Sequence, residues 1–187
     1  MDGPVVVRKR YAVDEYQRLA AVGILAEDER VELLDGVIVE LSPIEPPHAA
    51  CGTRLNERLH ALVQDRATIR IQNPIRLGEY SQPQPDIALV QPRDDFYATR
   101  HPESEDVLLL IEVSESSLAY DRDVKLPLYA RAGIAEVWRV ALLPQVVEVY
   151  RQPGESGYGE EGTFRRGDSL TPMQLPGVEL PVTLVLG

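Results

Sequence analysis

Apolar residues recur along the chain at two different periods, and the change of period predicts a mixed fold. Spacing of three and four residues predicts a short helix over 13–21 and a longer one over 49–66. A further helix is predicted over 114–133, closed by Gly133. The predicted strands cover residues 30–34, 37–41, 68–72, 75–77, 86–90, 107–113, 136–142 and 146–150.

Three segments make this prediction more specific. The Asp35-Gly36 dipeptide between two β-rich runs is typical of a tight hairpin turn, because both positions tolerate a positive φ. The continuous apolar run 107–113 predicts a central strand that is buried on both faces. The Gly-rich stretch 153–162 predicts a mobile loop. We expect one mixed α/β domain over 1–187, since no repeat or linker divides the chain.

Composition excludes several classes of protein. The 187 residues carry a formal net charge of −11, which argues against a nonspecific nucleic-acid coat protein. A lone Cys51 forms no intramolecular disulfide. No apolar run reaches the roughly 20 residues that span a bilayer, and the apolar run at 5–7 is too short for a signal peptide. We therefore expect a cytoplasmic protein without membrane contact.

Two carboxylates stand on strands apolar enough to be central. Asp86 follows Pro85 at the head of one strand, and Glu112 lies near the end of another. If the strands are neighbours, the two side chains supply oxygen ligands for Mg²⁺ or Mn²⁺. The alternative, two unrelated carboxylates at wetted strand ends, has equal weight from the pattern alone.

An ordered series of segments resembles a known family. The segments are ELLDG (32–36), SP followed by His48, QNPI (72–75), PDIALV (85–90), LLLIEVS (108–114), YDRDVKLPLYARAGIAEVW (120–138) and VEVY (147–150). Their order and spacing over 30–150 resemble the Uma-type endonucleases of bacteria, which belong to the PD-(D/E)XK restriction-endonuclease-like superfamily. The resemblance implies a central mixed β-sheet flanked by helices, with additional β-hairpins.

The resemblance also implies site residues. Asp86 and Glu112 correspond to the two acidic metal ligands of the family. The general pattern has a Lys two residues after the second acid, where this chain has Ser114. Lys125 looks like a migrated replacement and completes a catalytic set with Asp86 and Glu112. Lys9 and Lys125 are the only lysines among 19 Lys and Arg residues, which draws attention to the same position.

Three further positions match family motifs, each with a structural alternative. Glu32 is either a third carboxylate of the site or a solvent-facing hairpin residue. His48 either touches the substrate phosphate or caps local groups where a helix begins. Gln72 either hydrogen-bonds within the site or is a satisfied structural amide, and the structural interpretation is favoured for Gln72.

The function implied is a metal-dependent DNA endonuclease that uses Mg²⁺ or Mn²⁺, with a homodimer as the expected assembly. The main alternative is a nuclease fold that binds a partner without cleaving it, because fold alone does not fix function. A thiol site at His48 and Cys51 is disfavoured, and a buried, inert thiol is expected instead. A glycosidase using Asp86 and Glu112 is disfavoured by an aromatic content of 6%.

Overall fold

The computed structural model of the protein describes residues 9–26, 28–114 and 121–187. Its helices are α1 (Val13–Ala21), α2 (Pro46–Val63), α3 (Leu126–Arg131) and α4 (Val182–Leu186), with short 3₁₀ turns at Gln64–Arg66 and Ser104–Asp106 and a π-helical turn at Asp121–Lys125. Its strands are β1 (Val31–Leu34), β2 (Val37–Glu40), β3 (Thr68–Ile71), β4 (Ile87–Val90), β5 (Val107–Ser114), β6 (Glu136–Ala141), β7 (Val146–Gly154), β8 (Gly157–Phe164), β9 (Ser169–Leu170) and β10 (Leu180–Pro181).

A six-stranded mixed sheet organises these elements. Its order is β3-β4-β5-β6-β7-β8, and every neighbouring pair is antiparallel except β5 and β6. All eight residues of β5 are buried, as its unbroken apolar run predicts. The chain segment that connects the parallel strands β5 and β6 includes α3, since parallel neighbours need a crossover connection. The predicted mixed sheet flanked by helices is confirmed.

Each face of the sheet packs against different helices. On the first face, Leu55 and Leu59 of α2 and Val185 of α4 belong to the same apolar cluster as Trp138 of the sheet. On the second face, Tyr129 of α3 packs with side chains such as Ala88 and Leu110. We call these the α2 face and the α3 face. Within the described residues, every helix is too short or too polar to cross a bilayer.

The first hairpin packs against α1 and is joined by a backbone bridge to the segment that leads into the sheet. Val13 and Tyr16 of α1 pack with Val31 and Leu33, and the Tyr16 hydroxyl donates to the Val31 carbonyl at 2.9 Å. Leu33 forms an isolated antiparallel bridge with Gln82, in the segment that leads into β4. This bridge brings β1 towards the head of β4.

Two predicted elements are wrong. Residues 75–77 form no strand, because the Ile75 and Leu77 N–H groups donate to carbonyls of the following loop, of Pro83 and Ser81, and only Arg76 makes a bridge, to Glu103. The stretch 153–162 is not a mobile loop but part of the β7–β8 hairpin. As an edge strand, β8 is at most half-buried, so glycine and glutamate occupy positions that carry no apolar signal.

Two helix boundaries also differ from the prediction. α2 begins at Pro46 and not at Ala49, because proline is tolerated in the first turn of a helix. In the predicted 114–133 helix, Ser114 belongs to β5 and 115–120 lie outside the described residues. The remainder consists of the π-helical turn and α3, which has Pro127 in its first turn.

The Asp35-Gly36 turn gives the first testable prediction. Gly36 has φ +81°, and a Cβ there would lie 2.6 Å from the Cβ of Arg10. Gly36→Ala should therefore lower the free energy of unfolding by more than about 1 kcal/mol. Gly52→Ala is the matched control, since this α2 glycine has open space around it and should gain about 0.5 to 1 kcal/mol. Urea unfolding of both variants checks the opposite signs, and a neutral Gly36→Ala would contradict the strain.

Candidate active site

Asp86 and Glu112 meet at one end of β4 and β5. The register pairs Ile87 with Ile111, which places Asp86 beside Glu112. The Asp86 backbone N–H points at Glu112 Oε2 at 3.4 Å, and the Val113 N–H donates to Asp86 Oδ2 at 2.8 Å. The two strands are neighbours, which is the condition under which both side chains could supply ligands to one metal ion.

His48 and Gln72 surround the carboxylate of Asp86. His48 Nε2 lies 3.0 Å from Asp86 Oδ2, and Gln72 Nε2 donates to Oδ1 at 3.3 Å. The side chains of His48 and Asp86 are 18% and 16% exposed, so this side of the cluster opens to solvent. Burial opposes ionisation of Asp86, but the hydrogen bond and charge of His48, with Val113 N–H and Lys125, hold its pKa below the ordinary value.

Glu112 is oriented from the α3 side. Its Oε1 accepts a hydrogen bond from the Tyr129 hydroxyl at 2.5 Å and one from Lys125 Nζ at 3.3 Å. Its Oε2 is the oxygen nearest to Asp86. The inner oxygen of Glu112 is thus held by two donors, while the outer one lies near the backbone N–H of Asp86.

Lys125 links Glu112 to a third carboxylate. Its Nζ lies 3.3 Å from Glu32 Oε2, and that oxygen also accepts the Gln84 backbone N–H at 3.0 Å. Glu32 is fully buried, so the solvent-facing alternative for this residue is wrong. Glu32 Oε1 is buried without a hydrogen-bond partner among the described residues.

Among the described residues, the cluster has more carboxylates than cationic groups. Three carboxylates, of Glu32, Asp86 and Glu112, face the ammonium group of Lys125 and the imidazole of His48. Such an excess in a largely buried place favours a cation. Within the described residues no three His, Cys, Asp or Glu side chains form a ready metal cage. Two carboxylates are nevertheless enough for Mg²⁺, because proteins commonly bind this ion through one or two carboxylates and several water ligands.

All six residues singled out from the sequence therefore lie in one connected cluster. Sequence reasoning missed Tyr129 and Gln84, which contact two of its carboxylates. Tyr129 follows Lys125 by four residues, a spacing that places both on one side of a helix and was the available signal. Gln84 acts through its backbone, which leaves no signal in residue type. Ser114 is buried at the end of β5, and its carbonyl accepts the Leu142 N–H at 2.9 Å.

Comparison with known proteins adds independent information. A family model described as "Putative restriction endonuclease" matches residues 13–183. The chain is also similar to a crystal structure from Anabaena variabilis, described as a putative nuclease belonging to DUF820. The two share 18% identity over 94% of this chain and 97% of that one, with a TM-score of 0.74, which shows a common fold. No curated protein matches.

The thiol of Cys51 gives a prediction that separates it from this cluster. Cys51 is fully buried on α2, and its Sγ donates to the Val185 carbonyl at 3.4 Å. Burial raises the pKa of this thiol to about 11, so little thiolate forms at pH 8. The native protein should not react with Ellman's reagent at pH 8. The protein unfolded in urea should react with one equivalent of the reagent per chain. Rapid reaction of the native protein would show an accessible thiol and would make Cys51 a candidate functional residue.

The bridge through Lys125 gives a third prediction. Lys125→Met leaves two buried carboxylates without their shared cation and should lower the free energy of unfolding by about 3 to 5 kcal/mol. Glu32→Gln added to Lys125→Met should recover part of this loss, because one of the two carboxylates is then neutral. Urea unfolding followed by fluorescence of the single Trp138 measures both variants.

The control is the other lysine. Lys9 is 64% exposed and pairs with Glu15 at the surface, so Lys9→Met should leave stability nearly unchanged. Equal unfolding midpoints for Lys9→Met and Lys125→Met would show that the buried bridge contributes nothing.

Proposed function

The chain belongs to the Uma2 family, and from that premise we propose that it is a metal-dependent endonuclease that hydrolyses phosphodiester bonds of DNA. The resemblance found in the sequence is thereby confirmed at the level of the family. The observation that carries the proposal is the pair of carboxylates, Asp86 and Glu112, on adjacent strands at a partly exposed end of the sheet. We propose that the chain acts as one nuclease domain.

Asp86 and Glu112 are the residues that would hold Mg²⁺ or Mn²⁺. Both are hard oxygen ligands, and the excess of carboxylates over cations in their cluster supports a divalent cation there. When bound, such a cation neutralises charge on a phosphate and lowers the pKa of water, which makes hydrolysis accessible at neutral pH.

The neighbouring side chains orient these two carboxylates. His48 and Gln72 fix the orientation of Asp86, and the hydrogen bond and charge of His48 lower the pKa of its carboxyl group. Tyr129 and Lys125 hold the inner oxygen of Glu112, which leaves the outer oxygen directed towards Asp86. In this proposal Lys125 also offsets repulsion between the cluster and an approaching phosphate, because its charge lies directly behind Glu112.

Cleavage of supercoiled plasmid by purified protein tests the proposal. Glu112→Gln should lower the rate with Mg²⁺ or Mn²⁺ at least about a hundredfold, because the amide keeps the shape but loses the charge that holds a cation. Calorimetric titration with Mn²⁺ should show weaker binding in the same variant. Glu57→Gln, at an exposed position of α2, removes the same charge elsewhere and should behave as the unchanged protein.

The results of these experiments distinguish the proposal from its alternatives. Unchanged Mn²⁺ affinity and cleavage in Glu112→Gln would remove this residue from the site. Absence of cleavage by the unaltered protein under all divalent cations would favour the non-cleaving binding module. A homodimer that offers two sites would give linear plasmid as an early product, whereas a monomer would first give nicked circles.

A further inference from the structure

A cavity lies where the first turns of α2 face the turn between β6 and β7. It has a volume of about 340 Å³. Its polar groups are the side chains of Arg54 and Gln145, and none of the described side chains in its wall is acidic. The apolar side chains of the wall are those of Pro47, Ala50, Leu142, Leu143 and Leu186. We call this the Arg54 cavity.

Arg54 brings a positive charge to this cavity without an ion pair. Among the described residues, no Asp or Glu side chain forms a salt bridge with it. Its Nη2 donates to the Leu186 carbonyl at 3.1 Å, while its Nε is buried and has no hydrogen-bond partner among the described residues. A partly buried cation without a counter-charge is unfavourable by itself, and an anion in the cavity would remove that penalty.

A second arginine, Arg166, reaches the edge of the cavity from the segment after β8. Its Nε donates to Gln145 Oε1 at 3.4 Å, and its Nη2 donates to the Gly187 carbonyl at 2.7 Å. Gly187 also lies against Arg54, because a Cβ at Gly187 would be 2.6 Å from Arg54 Cζ. A carboxyl group at Gly187 would balance only one of these two guanidinium charges. The excess charge of the pair is therefore positive.

The helix α2 joins this cavity to the carboxylate cluster. Pro47 in the cavity wall directly precedes His48, whose Nε2 lies 3.0 Å from Asp86 Oδ2. Arg54 follows His48 by six residues, which places it about 9 Å further along the helix axis.

The sheet joins the two places as well. The Leu142 N–H donates to the carbonyl of Ser114 at 2.9 Å, two residues after Glu112 in β5. Glu112 is in register with Arg139, so the Cα atoms of Glu112 and Leu142 are about 11 Å apart for strands about 4.8 Å apart and a rise of about 3.3 Å per residue. Phosphates of one DNA strand recur about every 3.4 Å of helix axis, so this distance spans a few nucleotides.

We propose that the Arg54 cavity binds one unpaired nucleotide of the substrate strand, with its phosphate at Arg54 and its base against the apolar wall. This inference rests on the proposed nuclease function. It narrows the substrate class to DNA that is unpaired a few nucleotides from the scissile bond, as in single-stranded or locally opened DNA.

The wall of the cavity favours an unpaired nucleotide over a duplex segment. Unstacked bases are free to lie against protein side chains and against the plane of an arginine, whereas bases of a duplex are stacked on one another. A volume of about 340 Å³ is at the lower end of the range of about 300 to 1,000 Å³ that is typical of small-ligand pockets, so it suits one nucleotide. The planar guanidinium group suits phosphate oxygens, and no described acidic side chain in the wall repels them.

Binding without cleavage tests the inference. Fluorescence anisotropy of a labelled 20-nucleotide DNA, single-stranded and duplex, is measured in EDTA over a series of NaCl concentrations. Arg54→Gln should weaken single-strand binding about tenfold and reduce the slope of log affinity against log salt by about 0.7, as expected for one lost phosphate contact. Arg58→Gln removes the same charge from an exposed position of α2 and should leave affinity and slope unchanged.

The apolar wall is tested separately. Leu143 is 63% exposed, so Leu143→Ser should leave the fold intact. This variant should weaken single-strand binding about fivefold and leave the salt slope unchanged, because it removes apolar contact and no charge. Ile24→Ser is the matched control, since Ile24 is 67% exposed and lies outside the cavity wall. Both variants in the wall should change duplex binding less than single-strand binding.

Thermal unfolding identifies any variant whose fold is damaged. Arg54→Lys keeps the charge and should retain the salt slope. If Arg54→Gln is unfolded, the comparison of Leu143→Ser with Ile24→Ser decides.

The outcomes separate this inference from the proposed function. Single-strand affinity that is unchanged in Arg54→Gln or in Leu143→Ser would overturn the cavity as a nucleotide site, even if plasmid is cleaved. Equal losses for single-stranded and duplex DNA would overturn the unpaired nucleotide, and so would absence of single-strand binding by the unaltered protein. Single-strand binding that depends on both side chains would support the cavity even if no cleavage occurs.

Discussion

The ammonium group of Lys125 is the contact on which the cluster depends. It joins Glu32 of β1 to Glu112 of β5, so three segments distant in sequence meet at one buried cation. Taking three charges out of water is unfavourable unless each is matched, and here one cation serves two carboxylates. The first hairpin is therefore held at the central sheet by these ion pairs as well as by the backbone bridge of Leu33 with Gln82, in the segment that leads into β4.

The two oxygens of Glu112 have different surroundings because of this contact. Oε1 faces two donors on the π-helical turn and α3, and Oε2 faces Asp86. Asp86 is fixed in a similar way by a backbone N–H and by two side chains. The orientation of both carboxylates is thus set by groups of the chain itself.

The sequence predicted the features that depend on local pattern. Asp35 and Gly36 do adopt positive φ, and the apolar run 107–113 is the central strand. The edge strand β8 was missed, because its contacts are mostly backbone hydrogen bonds that many residue types can make. The full burial of Glu32 was not predictable from alternation in the hairpin, since it follows from the bridge of Leu33 with Gln82 and from Lys125 across the site.

The choice of lysine at position 125 follows from the geometry of its contacts. In the pairs Arg93–Asp95 and Arg100–Asp106, the planar fork of arginine holds one carboxylate through two nitrogens. Lys125 instead makes one contact of 3.3 Å to each of two carboxylates on different segments. A compact ammonium group directs its three donors to separate acceptors, whereas a planar guanidinium group needs acceptors that lie in its own plane. In a chain with only two lysines, the buried one occupies the position where a point charge fits better than a fork.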